Sequence, residues 1–153
     1  MRRLLAGALA GLVVAAAVPA AASARLPSVL TQLKRPWQVK PAVIEYTGDG
    51  TGIVGGPNGT GTRHLGHIRW TTYNHRRAVG HGLVWLNDCM PDCADGTYHS
   101  AVVTMRVGSP KKHRFRRLTL TYTYQGKRYT DRRRAVHSAG AGGNPGVWAY
   151  KIV

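Results

Sequence analysis

Leu118-Thr119-Leu120-Thr121-Tyr122-Thr123-Tyr124 alternates between large apolar or aromatic residues and threonine. In an extended chain this puts Leu118, Leu120, Tyr122 and Tyr124 on one face and three threonines on the other, the pattern of a strand with one side in a core. Gln125-Gly126 comes next, followed by Lys127-Arg128-Tyr129-Thr130, so the stretch predicts a hairpin closed by a two-residue turn. On either side, strands are predicted at Pro41–Tyr46, His67–Tyr73, Ala78–Leu86, Tyr98–Val107 and Val147–Val153. No run of a dozen residues repeats apolar positions at three and four, as an amphipathic helix must. The expected fold is all-β, a single small antiparallel sandwich or partly open barrel of about seven strands.

The N-terminus reads differently. Arg2 and Arg3 precede an apolar run from Leu4 to Val18 and then Ala22-Ser23-Ala24, the order of a cleaved secretory signal peptide. The run is too short and too rich in alanine to span a bilayer, which takes roughly 18 or more apolar residues. The chain of 153 residues thus divides into a signal peptide at 1–24, a lead-in segment at 25–40 and an all-β domain at 41–153. The 129 residues left after cleavage suffice for one domain with its own core. Eight glycines between Gly48 and Gly66 predict a long loop; with no Lys-Ser or Lys-Thr behind them and no helix, it is not a phosphate-binding P-loop. A second glycine-rich connection, Gly140 to Gly146, leads into the last strand, and Asn58-Gly59-Thr60 matches a glycosylation triplet to which no function attaches.

Cys89 and Cys93 flank Met90-Pro91-Asp92. In an exported chain they predict one disulfide, worth about 2 kcal/mol by chain entropy for so short a loop and serving mainly to stiffen an exposed turn. The competing reading joins them to His81 and His99 as zinc ligands, which export disfavours; no metal or cofactor is expected. Asp88, Asp92 and Asp95, with Gly96 behind them, could form a weak calcium loop, but the D-x-D-x-D-G order is missing. Aspartates bonding their own backbone in turns are the preferred account.

Lysine and arginine number 22 against 6 acidic residues; removal of Arg2 and Arg3 leaves 20 against 6, an excess of +14. Such an excess favours polyanions as partners, although a GC-rich genome and a solvated surface would also produce it. Two clusters concentrate it: Lys111, Lys112, Arg114, Arg116 and Arg117, then Lys127, Arg128, Arg132, Arg133 and Arg134. Folding of the predicted hairpin brings them together near its open end, where arginine and tyrosine would grip phosphates and stack on bases or sugars. The alternative is an edge kept soluble by charge. Phe115 and Leu118 differ in parity, so a bulge or turn is expected near Arg116. Trp70, Trp85 and Trp148 fall in predicted strands and are expected in the core, whereas Trp37 sits in the lead-in segment and would tether it.

Gly48-Asp49-Gly50, Ile68-Arg69-Trp70, Ala78-Val79-Gly80-His81-Gly82, Cys89-Met90-Pro91-Asp92-Cys93-Ala94-Asp95-Gly96 and Phe115-Arg116-Arg117-Leu118 together resemble a family of small secreted actinobacterial proteins of unassigned activity. The specific part is C-x-P-x-C-A-x-G with A-x-G-x-G upstream; Tyr73 stands where that family tends to carry a second tryptophan. The resemblance covers about half of the exported chain and transfers no catalytic residue. It implies a bacterial origin, export and a recurring scaffold.

Enzymatic constellations are sparse. G-x-S-x-G is absent, so an α/β-hydrolase is unsupported. Glu45 with Asp49 or Asp88 would be needed for a glycosidase, and nothing in their spacing selects them. A ribonuclease-like site would draw on His75 and His81 with Arg69 or Arg76, while His64 and His67 would point oppositely on a strand. The expectation is a secreted or wall-associated, non-catalytic module for anionic polymers such as cell wall, nucleic acid or acidic glycan. Its alternatives are a carbohydrate-binding or structural module and a small secreted hydrolase.

Overall fold

The computed structural model describes residues 25–32, 36–56, 66–138 and 146–153. The predicted signal peptide at 1–24, Lys34-Arg35, the triplet at Asn58, His64 and most of the second glycine-rich connection lie outside the described residues. Among the described residues every regular element is a strand. These are β1 (Val29–Leu30), β2 (Trp37–Gln38), β3 (Ile44–Glu45), β4 (Gly52–Val54), β5 (Arg69–Tyr73), β6 (Ala78–Asn87), β7 (Tyr98–Lys111), β8 (Arg114–Tyr124), β9 (Lys127–Ser138) and β10 (Val147–Ile152). No helix there is long and apolar enough to cross a membrane.

One antiparallel sheet in the order β10-β9-β8-β7-β6-β4-β3 curls into a half-barrel, with β5 also paired to β6. Its frame is the β7-β8-β9 meander. Lys112 and His113 close β7 to β8 with φ of 50° and 55°, and Gln125 and Gly126 close β8 to β9 with 48° and 72°, as two-residue turns that follow strand twist require. Inward from β7 and β8 come Val103, Met105, Val107, Leu118 and Leu120, each at most 2% exposed. The alternation in 118–124 therefore buries its leucine face as expected.

β6 carries two partners on its other edge. β5 pairs with Ala78 to His81, and β4 with Val84 to Leu86. The changeover falls at Gly82 and Leu83, where Leu83 N–H donates to Gly66 O and Gly55 N–H to Leu83 O. A Cβ on Gly82 would come within 2.7 Å of Gly66 O, so only glycine lets the incoming segment lie this close. The predicted Gly48–Gly66 loop thus holds a strand, β4, that the glycine count hid: Ile53 and Val54 are buried in it. The predicted strand at Pro41–Tyr46 shortens to Ile44–Glu45, while β7 runs on to Lys111, β8 starts as early as Arg114 and β9 runs on to Ser138, so both basic clusters except Lys112 lie in strands.

Val29, Leu30 and Trp37 of the lead-in segment pack into the core of the sheet. Val29 and Leu30 are fully buried, Tyr150 Oη donates to Leu30 O at 3.1 Å and Tyr73 Oη to Pro27 O at 2.7 Å. The lead-in segment closes the half-barrel. It does so beyond Arg117, where the β8-β9 ladder stops: Ser28 bridges Arg114 in parallel, and Phe115 N–H donates to Ser28 O. The irregularity expected at Arg116 exists without an inserted residue. The β7-β8 ladder skips Ser109 and Arg116, Ser109 taking φ of 52°, yet Gly108–Arg117 and Pro110–Phe115 remain in one register. Both Phe115 and Leu118 are buried as a result.

Candidate polyanion interface

Residues directly opposite in an antiparallel pair share a face. On the outer face of the half-barrel, one row runs Gly108, Arg117, Arg134, Lys151 across β7 to β10. The next runs Val79, Arg106, Thr119, Arg132 across β6 to β9. A third runs Arg69, His81, Thr104, Thr121, Thr130, and beside it Thr123 stands opposite Arg128. Successive rows lie about 7 Å apart along the strands, and neighbours within a row about 5 Å.

None of the six carboxylates, Glu45, Asp49, Asp88, Asp92, Asp95 and Asp131, stands in these rows. Arg117, Arg134 and Lys151 face one another directly without a counter-charge, an arrangement that costs the sheet stability. Arg69, Arg106, Arg117, Arg128, Arg132, Arg134 and Lys151 are all exposed. Threonine hydroxyls between them add short donors that reach a phosphate or sulfate oxygen without a long side chain to order.

The two sequence clusters divide rather than merge. Arg117, Arg132 and Arg134 meet at the open end of the β8-β9 hairpin, as expected, and Arg128 lies on the same outer face. Lys127 sits at the closed end instead, its Nζ 5.6 Å from the Tyr129 ring. Arg133 has the parity of Leu118 and belongs to the core side, where it forms two 2.8 Å hydrogen bonds to Asp131. That bidentate pair raises the Arg133 guanidinium above its usual value against burial, which lowers it. Lys111 ends β7 opposite Arg114, Lys112 lies in the β7-β8 turn, and Arg114 and Arg116 stack on Trp37 and Trp148. Arg69, Arg106 and Lys151 complete the outer face. No cluster marked them; the only signal was parity along three separate strands.

Cys89 and Cys93 form the predicted disulfide, which takes up both thiols that a zinc site would need. The adjacent aspartates work on backbone. Asp92 Oδ1 accepts from Ala94 and Asp95 N–H, and Asp88 Oδ1 from Met90 and Thr97 N–H. Asp88 Oδ2 also meets His99 Nε2 at 3.0 Å, and this contact first, then the backbone bonds, holds its carboxyl below the usual range. Asn87 ties the loop by donating to Cys93 O and accepting from Cys89 N–H; a Cβ on Gly96 would collide with Asn87 Oδ1.

Of the ribonuclease-like set, His81 and Arg69 come together and line one cavity with His67. His75 lies in the turn between β5 and β6, outside the strand that carries His81, and Arg76 is capped there by Asn74 Oδ1. His81 stands opposite Arg69 and contacts Thr104 Oγ1 at 3.3 Å. Glu45 accepts from Gly50 N–H. Asp49 accepts from the Thr51 hydroxyl and N–H, which lowers its carboxyl to about 2. Trp70 and Trp148 pack against the core cluster as expected, Trp85 does not, and Trp37 joins the first two. No protein-family model, curated protein or solved structure matches this chain.

Proposed function

We propose that this protein is an exported, disulfide-stapled β-domain that binds anionic polymers without catalysis, through the outer face of β5 to β10. It would be one of the secreted bacterial scaffolds that its A-x-G-x-G and C-x-P-x-C-A-x-G elements resemble. The observation that carries the reading is the carboxylate-free set of seven exposed cations interleaved with threonines on one pleated surface. A sheet that keeps Arg117, Arg134 and Lys151 side by side gives up stability that a bound chain of phosphates or sulfates returns. The test is binding of the protein to duplex DNA and to purified cell wall across a salt series. A linear fall of log affinity with log salt supports the reading, and a flat or absent response overturns it.

A second, saccharide-binding reading rests on a different place. Tyr122 and Tyr129 stack at 5.4 Å beside the Asp131–Arg133 pair, lining a cavity of about 320 Å³ with Ile152 and Val153. An aromatic platform with a fixed carboxylate is suited to neutral sugar rings. Binding there would be insensitive to salt, which separates the two.

A further inference from the structure

We infer that the gap between the lead-in segment and the β7-β8 turn is a discrete site for a single phosphate group, separate from the outer face. A cavity of about 400 Å³ opens there, lined among others by Arg25, Ser28, Trp37, Lys112, His113 and Arg114. Its charged lining is basic throughout, and its indole N–H is a donor, so the ligand that completes it is an acceptor-rich anion.

Behind the cavity lies a stack that holds Arg114 in place. Its guanidinium carbon sits 4.8 Å from the Trp37 ring and 5.7 Å from that of Trp148, and Arg116 sits 4.1 Å from Trp148. The two indoles meet edge to face at 5.3 Å. Cations clamped on aromatic faces keep their N–H edges free for an oxyanion, and the planar fork of arginine matches two phosphate oxygens. Among the described residues no carboxylate pairs with either arginine; the one arginine–carboxylate ion pair is Arg133 with Asp131. One buried donor of the cavity lining, Trp37 Nε1, has no acceptor. Buried donors are almost always satisfied in folded proteins, so this one marks a place built to receive an acceptor.

The turn points the same way. Lys112 and His113 both hold left-handed backbone, where Asn-Gly would be the relaxed choice. His113 O accepts from the N–H and hydroxyl of Ser28, and His113 Nδ1 contacts Arg25 O at 3.2 Å. The strained turn is thereby pinned to the lead-in segment with Lys112 at the rim of the cavity. Strain kept by surrounding contacts is characteristic of binding sites.

The proposal shares only the sign of charge with the polymer-binding reading and is tested apart from it. The full chain is titrated with sodium phosphate at constant ionic strength set by sodium chloride, following tryptophan fluorescence. A saturable change that chloride does not reproduce is expected, lost in Trp37→Phe and weakened at least about tenfold in Arg114→Gln, since one charge-assisted fork accounts for that much. Lys112→Ala, an exposed turn substitution that spares the core, should weaken it about threefold or more. A response identical in chloride, or affinity unchanged in both Arg114→Gln and Lys112→Ala, overturns the site. A second arm compares an eight-residue oligothymidylate with and without a 5′-phosphate. Preference for the phosphorylated end assigns the site to chain termini, and equal binding of the two with phosphate still active assigns it to the free ion. Salt-sensitive polymer binding on the outer face is read separately with a long duplex, so its failure leaves the phosphate titration interpretable.

Discussion

Replacing Arg117, Arg132 and Arg134 by serine should move binding and stability in opposite directions. These three sit in adjacent rows of the outer face, Arg117 opposite Arg134 and Arg132 opposite Thr119. If all seven cations of that face contact duplex DNA, each contributes about 0.9 to the log-log salt slope, so wild-type affinity falls by about four decades between 50 and 200 mM salt. The triple variant keeps four cations and should lose only about two decades over the same range, its slope smaller by about 2.7. The fold responds with the other sign. Two like-charge oppositions disappear, Arg117 with Arg134 and Arg134 with Lys151, which should raise stability by about 0.5–1 kcal/mol. Fluorescence anisotropy with labelled duplex across a salt series gives the slope, and urea unfolding gives the stability. An unchanged slope refutes the assignment of these residues. Loss of affinity accompanied by a lower urea midpoint refutes the reasoning too, because the cations would then be supporting the sheet.

Leu120→Ala, at a fully buried position in the centre of β8, should cost about 2–5 kcal/mol in urea unfolding. Cys89→Ser with Cys93→Ser should lower stability by about 2 kcal/mol or less, while hydrogen exchange rises in the 88–97 loop and stays slow in β7 and β8. Asp49 is held at about 2 by its bonds to Thr51, so its contribution is full above the usual carboxylate pKa near 4 and is lost as pH falls toward 2. Asp49→Asn should therefore flatten the acid limb of stability measured by circular dichroism between pH 4 and pH 2 (about the window set by those two values). Burial pushes the Tyr46 and Tyr150 phenols well above the normal tyrosine value, and absorbance at high pH should show both ionising only when the chain unfolds.

Much of the architecture was legible in local pattern. Period-two alternation in 118–124 named both faces of β8, Gln125-Gly126 named the turn, and the paired cysteines named their bridge, because strand faces, tight turns and short disulfide loops are decided by neighbours in the chain. The mismatch in parity between Phe115 and Leu118 also announced an irregularity, which tertiary structure met with a left-handed Ser109 in place of an inserted residue. β4 was hidden because a three-residue strand among glycines has no period to read; it exists because Val54 and Ile53 find β6 across a gap that Gly82 keeps open. The lead-in segment looked like a tether, yet Val29 and Leu30 close the half-barrel, a role set by where the sheet curls.

The candidate interface shows the same division. Sequence supplied the charge and its two dense runs, since composition and clustering are properties of the chain alone. Which cations act together was decided by register: Arg69, Arg106 and Lys151 join the outer face through pairings between distant strands, while Arg133, adjacent to two of its members, turns inward to Asp131. Parity assigns a side chain to a face only once the strands are aligned, and alignment comes from packing of the whole core.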